Sequence, residues 1–169
     1  MEALIFSDSH GRAERIEEIL LRQVRRLDAV LFAGDGLRDL DRAGLGDQNV
    51  YVVLGNCDWF SPDPHMQTEQ IISFGGFNIL LTHGHLYNVK HGYGALLAHA
   101  AKIGADIVIF GHTHVPHLET ISQGSEVGGV VLERPLYLFN PGSLGADGSF
   151  GTLTVRNGQI LLAHGRLET

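Results

Sequence analysis

Five short polar clusters carry the residue types that bind divalent metal ions in proteins. They supply two carboxylates, one amide oxygen and four imidazoles, from Asp8, His10, Asp35, Asn56, His83, His112 and His114. Such oxygen and nitrogen ligands suit Mn, Zn, Fe, Ni or Co ions. Because seven ligands exceed the needs of one tetrahedral ion, the set predicts two ions that share a bridging carboxylate. Asp35, which has a glycine on each side, is the expected bridge.

Two divalent ions would create a locally positive site in an acidic chain, whose formal net charge is −7. Their charge exceeds that of Asp8, Asp35 and a bridging hydroxide by about one unit. The ions would make that hydroxide available near neutral pH and would hold phosphoryl oxygens. The pattern therefore predicts hydrolysis of a phosphate ester, whereas the acidic surface argues against binding of long nucleic acids.

Each cluster directly follows a short apolar segment that is typical of a buried strand. These segments cover residues 3–6, 29–33, 50–54, 77–82 and 107–110. In sheet proteins, ligands gather at the carboxyl ends of neighbouring strands. We therefore expect the five clusters to meet at one edge, although they are spread from position 8 to position 114.

The other elements indicate an α/β (α+β) sandwich with mixed sheets. Apolar spacing predicts helices at Ala13–Arg26 and Tyr93–Ile103, and Gly75-Gly76 and Asn157-Gly158 predict hairpin turns. Residues 36–49 could form a loop or a short helix, and the prolines of 61–65 should break regular structure. The second half is richer in strands, at 117–122, 129–133, 136–139, 151–156 and 159–164. No repeat or linker divides the chain, so residues 1–169 are predicted to form a single domain.

The order of these motifs resembles that of the calcineurin-like metallophosphoesterase superfamily. The motifs are D-x-H (8–10), G-D (34–35), G-N-x-D (55–58), H-G-H (83–85) and G-H-T-H (111–114). The Asn-Pro-Gly-Ser run at 140–143 resembles the superfamily's small YfcE-like phosphodiesterase branch. The resemblance implies a four-layer αββα sandwich of two mixed β-sheets flanked by helices, with the metals at its rim.

The resemblance also implies roles for individual residues. One ion would take Asp8, His10, Asp35 and His114, and the other would take Asp35, Asn56, His83 and His112. Mn is the expected metal, with Ni, Zn, Fe and Co as alternatives. Asn56, Asp58 and His85 are the expected catalytic group: Asn56 would also contact substrate, and the other two would orient ligands or water. Arg12 and Arg38 follow two motifs and could contact phosphate, while Asn140–Ser143 is expected to be a structural turn.

Cys57 departs from the pattern of the wider superfamily. Many of its phosphatases have a histidine at this position, where it serves as an acid for the leaving group. A neutral thiol, with a reference pKa of about 8.5, is a poor substitute. The sequence therefore predicts a preference for substrates with good leaving groups.

The resulting expectation is a metal-dependent phosphodiesterase that hydrolyses small phosphodiesters. One alternative is an interaction scaffold of the retromer-subunit type, in which the asparagine position is altered, whereas Asn56 is intact here. Others are a phosphomonoesterase or a nuclease. A single cysteine and the lack of a secretory or membrane-spanning segment predict a cytoplasmic protein. Exposed strands could pair copies into a homo-oligomer.

Overall fold

The elements of the fold alternate between strand and helix in the first half and are mostly strands in the second. The computed structural model describes residues 1–23, 26–59 and 65–168. The α-helices are α1 (Ala13–Leu21), α2 (Leu37–Ala43), α3 (Gly94–Lys102) and α4 (Leu144–Asp147). Short 3₁₀ helices lie at His85–Tyr87 and Val89–His91. The strands are β1 (Glu2–Phe6), β2 (Ala29–Phe32), β3 (Val50–Val52), β4 (Glu69–Phe74), β5 (Phe77–Thr82), β6 (Ile107–Ile109), β7 (His117–Ile121), β8 (Glu126–Val127), β9 (Val130–Val131), β10 (Leu136–Asn140), β11 (Ser149–Arg156) and β12 (Gln159–Arg166).

Two five-stranded mixed sheets form the centre of the fold. The first has the order β12-β11-β1-β2-β3, and its last three strands are parallel. The second has the order β4-β5-β6-β10-β7, and β5, β6 and β10 are parallel. Neighbouring parallel strands end at the same edge of their sheet, so the loops that follow β1, β2 and β3 lie side by side, as do those that follow β5 and β6.

The burial of alternate residues on each strand produces four layers. In β1, Ala3 and Ile5 belong to the core between the two sheets, whereas Leu4 and Phe6 pack with α1 and α2. In the second sheet, Leu80, Val108 and Leu138 pack with α3, on the face turned away from the first sheet. This arrangement of helices, sheet, sheet and helix confirms the predicted αββα sandwich.

Most predicted elements are present with small shifts of their ends. Both hairpins are confirmed, since Phe74 pairs with Phe77 and Arg156 pairs with Gln159. Helix α1 ends at Leu21, five residues before the predicted end, and residues 24–25 lie outside the described part. Residues 36–49 contain α2. The predicted strand at 129–133 is only the two-residue β9, which pairs with β8.

The predicted break at 61–65 falls almost wholly outside the described residues. None of the described helices is long and apolar enough to span a membrane.

Candidate metal centre

The loops that follow five strands meet and bring together all seven predicted metal ligands. The amide of Asp8, after β1, donates to the carbonyl of Gly34, after β2, at 2.9 Å. The two sheets are joined in the same way, because the His112 amide donates to Asp8 Oδ2 at 3.0 Å. The Gly111 amide donates to the carbonyl of His83 at 3.2 Å. Backbone contacts between loops thus hold the side chains at one edge.

One group of ligands surrounds a carboxylate oxygen of Asp8. Asp8 Oδ1 lies 3.1 Å from His114 Nε2 and 3.7 Å from His10 Nε2. The two imidazole nitrogens are themselves 3.3 Å apart. Asp8 is fully buried, and its Oδ1 has no hydrogen-bond partner among the described residues. Because a buried carboxylate oxygen without a partner is unfavourable, this geometry fits a cation between Asp8, His10 and His114.

A second group surrounds the Nε2 atom of His83. That atom lies 3.1 Å from Asn56 Oδ1, 3.2 Å from His112 Nδ1 and 3.4 Å from Asp35 Oδ2. On the other side of the ring, Nδ1 donates to the Ala33 carbonyl at 2.7 Å. This bond selects the tautomer whose Nε2 lone pair faces the other ligands, as metal-binding histidines require.

The two groups are adjacent and share residues. Ligand atoms of Asp8, Asp35 and His83 all lie within 4.8 Å of one another, and the same limit holds for His10, Asp35 and Cys57. Asp35 therefore reaches both groups, which is the position that a bridging ligand must have.

Backbone strain is concentrated at the predicted ligands. Seven non-glycine residues of the described part have a positive φ, and five of them are Asp8, His10, Asp35, His112 and His114, with φ between 45° and 67°. Each such conformation costs about 1–3 kcal/mol and persists only where the surrounding structure holds it. The fold thus maintains five unfavourable backbone conformations at the residues that meet at this edge of the sheets.

Gly55 and Gly111, which precede the predicted ligands Asn56 and His112, stand where a side chain would not fit. A Cβ atom at Gly55 would lie 2.0 Å from Asp35 Oδ1, and one at Gly111 would lie 1.8 Å from Ser7 Oγ. No larger residue fits at these positions without moving a ligand or its neighbour. The glycines therefore allow the strand ends to approach closely enough for the ligands to meet.

Asp58 organises the loop that carries Asp35. Its carboxylate accepts hydrogen bonds from four backbone amides: Asp35 at 2.8 Å, Gly36 and Leu37 at 3.0 Å, and Gly55 at 2.9 Å. These bonds join the end of β2 to the loop after β3. The structure places Asp58 behind the ligands, and its expected part in catalysis stays a prediction.

His85 packs against the ligands without joining them. Its ring centre is 5.4 Å from that of His83 and 6.1 Å from that of His112. Its Nδ1 is buried and lacks a hydrogen bond to any described residue. Burial and the neighbouring His83 lower the pKa of His85, which favours the neutral imidazole.

The Asn-Pro-Gly-Ser run is a turn that fastens two of the loops. Asn140 donates through Nδ2 to the carbonyl of Gly111 at 2.8 Å and to Thr113 Oγ1 at 3.1 Å. Ser143 donates to the carbonyl of Asp8 at 2.9 Å and caps α4. These contacts agree with the expected structural role.

The charges around the centre favour an ionised Asp35 and a neutral His112, and they favour a proton on His83. Burial raises the pKa of Asp35, but its hydrogen bond and charge interaction with His83 outweigh burial and hold that pKa well below its usual range. Burial lowers the pKa of His83, but the hydrogen bond with Asp35 and the charges of Asp8 and Asp35 raise it by more, so that the pKa lies above its usual value. A cation at this position would therefore displace a proton. Burial and the nearby His83 lower the pKa of His112 to about 4.

Cys57 lies beside the centre with a protonated thiol. Partial removal from water, followed by a hydrogen bond and charge interaction with Asp35, raises the pKa of Cys57 to about 11. Near neutral pH the protein alone holds it as the thiol, which is a weak acid and a weak nucleophile.

A cavity of about 540 Å³ opens beside the centre. His10, Asp35 and Cys57 line it, together with Arg38 and Arg42 of α2. Of the two arginines predicted as possible phosphate contacts, Arg38 lines the cavity and Arg12 does not. The guanidinium of Arg12 lies 3.6 Å from the carboxylate of Glu14. Arg42 was not predicted from the sequence, in which it resembles any exposed arginine of a short helix.

Asp39, which is buried in the wall of this cavity, was not predicted from the sequence either. Its Oδ2 accepts hydrogen bonds from Ser9 Oγ at 2.5 Å and from the Gly11 amide at 2.8 Å. Asp39 thereby anchors the loop that contains His10. An aspartate in a polar, glycine-dotted segment gives no sequence signal for such a role.

A sequence profile of the Calcineurin-like phosphoesterase superfamily domain matches residues 1–158. The chain belongs to this superfamily. It is 35% identical over 144 residues to the "Probable metallophosphoesterase YsnB" of Bacillus subtilis (strain 168), covering 85% of this chain and 75% of that protein. The superfamily assignment and this relative indicate a metal-dependent phosphoester hydrolase, consistent with the ligand set.

Solved structures agree in fold with this member of the superfamily. Vps29 from Entamoeba histolytica, complexed with Zn²⁺, matches with a TM-score of 0.71 and 25% identity, over 98% of this chain and 99% of that chain. YfcE, a phosphoesterase from E. coli, matches with a TM-score of 0.61 and 21% identity, over 99% and 100% of the two chains.

Proposed function

We propose that this protein is a phosphodiesterase that hydrolyses small phosphodiesters with two divalent metal ions. The observation that carries the proposal is the meeting of two ligand groups around Asp35, one at Asp8 Oδ1 and the other at His83 Nε2. A fully buried carboxylate oxygen without a hydrogen bond among the described residues supports a cation there.

One ion would be held by Asp8, His10, Asp35 and His114, and the other by Asp35, Asn56, His83 and His112. When bound, such ions supply an activated water near neutral pH and polarise the phosphoryl group. Manganese is the metal that we propose for the native protein. The oxygen- and nitrogen-rich ligand set is compatible with it, as it is with Ni, Zn, Fe and Co.

The chain's own residues fix the orientation of these ligands. The Ala33 carbonyl holds the imidazole of His83, and the four amides bound by Asp58 hold the Asp35 loop. We propose that Asn56 uses its amide nitrogen for substrate, because its Oδ1 faces His83. The thiol of Cys57 is by its chemical type a weaker acid than an imidazolium, so we propose that the leaving group departs largely unaided.

The substrate that we propose is small and diesterified. A net charge of −7 disfavours the binding of long polyanions. A cavity of about 540 Å³ is large enough for a small-molecule phosphodiester. A phosphomonoesterase or nuclease activity at the same centre would give a different order of substrates in the following assay.

The test is hydrolysis of bis-p-nitrophenyl phosphate by protein loaded with Mn, Ni, Co or Zn. We expect manganese-dependent turnover that exceeds turnover of p-nitrophenyl phosphate and of oligonucleotides. Asp35→Asn should abolish it, while Asp47→Asn, which removes one exposed carboxylate away from the cavity, should retain it. Absence of turnover by fully metallated protein with all four metals would refute the proposal.

The second candidate is an interaction scaffold, which the likeness to Vps29 favours. If the protein is a scaffold, its Asn56→Ala variant should still bind the partner protein and should support the same cell behaviour as the wild type. Loss of the cellular effect in that variant, with the fold retained, would favour the enzyme.

A further inference from the structure

Helix α2 contributes two arginines to the wall of the cavity beside the metal centre. Arg38 and Arg42 are four residues apart on α2, so they lie on one face of the helix, and both line the cavity. Neither guanidinium has an ion pair or hydrogen bond within the described ranges. Arg12, Arg15 and Arg22 differ, because each of them contacts a carboxylate or a backbone carbonyl.

The acidic residues of the same wall form no ion pair with these arginines. Asp39 is occupied by its hydrogen bonds with Ser9 and Gly11, and Asp58 is saturated by four amides. Asp41 is the remaining carboxylate on α2 that lines the cavity, and it is exposed. No carboxylate within the described ranges therefore pairs with Arg38 or Arg42, and both guanidiniums are free to bind an anion.

Two adjacent guanidiniums are suited to an oxyanion. Arginine presents a planar set of N–H donors that matches carboxylate and phosphate oxygens and remains charged at every physiological pH. The centre itself would take the phosphodiester, and the cavity exceeds the size of one phosphate group. A second anionic group on the same substrate could therefore reach α2.

We infer that the substrate is a phosphodiester with a further oxyanion on one ester group, which Arg38 and Arg42 bind. This inference rests on the proposed phosphodiesterase function and narrows its substrate class. Arg38 and Arg42 are specificity-determining residues and take no part in bond cleavage.

Three p-nitrophenyl alkyl phosphates provide the test, with propyl, 2-carboxyethyl and 3-phosphooxypropyl as the alkyl group. All three release p-nitrophenolate, so they differ only in the end that would reach α2. With manganese-loaded protein we expect kcat/KM to be about tenfold higher for one or both anionic esters than for the propyl ester, through KM. The ester with the larger gain identifies the oxyanion as carboxylate or phosphate.

The double variant Arg38→Gln/Arg42→Gln should lose this preference, because glutamine keeps the helix but not the charge. Arg156→Gln is the matched control. Arg156 ends β11 beside the amino end of β1, at the opposite edge from the ligands, and should keep the preference. Circular dichroism establishes that the variants are folded.

Binding provides a readout that does not depend on turnover. Isothermal titration calorimetry with propane-1,3-diyl bisphosphate should show an affinity about tenfold weaker in the double variant than in the wild type. Equal kcat/KM for all three esters would overturn the inference and leave the proposed function intact. If no ester is hydrolysed, the proposed function fails, and the substrate class inferred from it fails too. Calorimetry then tests only whether Arg38 and Arg42 bind an oxyanion, and equal affinity in both proteins overturns that part as well.

Discussion

Replacement of Asp58 by asparagine tests whether this residue positions the metal centre or takes part in the chemistry. The carboxylate accepts four backbone hydrogen bonds of 2.8–3.0 Å from two loops. The asparagine side chain has only one acceptor oxygen. Its NH₂ group would face backbone amides that now donate hydrogen bonds to the Asp58 carboxylate. At least two of the four bonds should therefore be lost in the variant.

The expected loss follows from the strength of these bonds. A hydrogen bond to a charged group contributes about 1.5–3 kcal/mol, and the lower value applies at a half-buried site. Loss of two such bonds should lower the free energy of unfolding by about 3 kcal/mol, or the melting temperature by about 6–12 °C in a chain of this size. Asp35, whose φ of 62° these bonds maintain, should then lose its orientation. Loss of such support typically weakens metal affinity by about 10–100-fold.

Thermal unfolding of the metal-free protein and calorimetric titration with Mn²⁺ measure the two effects separately. The matched control is Asp47→Asn, an exposed carboxylate with no backbone hydrogen bond within the described residues. Unchanged melting temperature and Mn²⁺ affinity in Asp58→Asn, together with a lower kcat, would refute the positioning argument and assign Asp58 to the chemistry.

Three further predictions address the same centre. Gly55→Ala should reduce bound metal and activity, because a Cβ 2.0 Å from Asp35 Oδ1 must displace that carboxylate. Elemental analysis measures the bound metal. Gly94→Ala is the control, because its Cβ would meet nothing within 4 Å. Asp35→Asn should lower the occupancy of both ions, since a bridge serves both, whereas His114→Ala should weaken mainly one; retention of two full equivalents by Asp35→Asn contradicts the assignment. In a series of aryl phosphodiesters, kcat/KM should fall as the pKa of the leaving group rises, because the Cys57 thiol is a weak acid; a flat profile with the chemical step shown to be rate-limiting would contradict this role of the position.

The α/β sandwich with mixed sheets and the position of the candidate ligands at strand ends were predictable because their signals are local, whereas the αββα layering followed from the family resemblance. Each ligand follows a short apolar run, and a buried strand with a polar turn is encoded within a few neighbouring residues. The hairpins at Gly75-Gly76 and Asn157-Gly158 were predictable for the same reason. The end of α1 was placed five residues too late, because helical spacing continues in the sequence beyond the point at which the helix ends.

Contacts between distant segments were beyond the reach of such signals. The burial of Asp39 and its bonds to Ser9 and Gly11 depend on how α2 packs beside the loop after β1. The same packing decides that Arg42 lines the cavity. Nothing in the residues around these positions distinguishes them from solvated charges on a short helix.

By itself, the sequence determined which residues can bind metal, which strands precede them and which family they resemble, because residue type and apolar periodicity are properties of short segments. Tertiary structure alone decided that Asp58 gathers four amides from two loops and that five ligands adopt left-handed backbone conformations. A strained conformation is stable only when contacts from other elements hold it, and those contacts exist only after the two sheets have packed together.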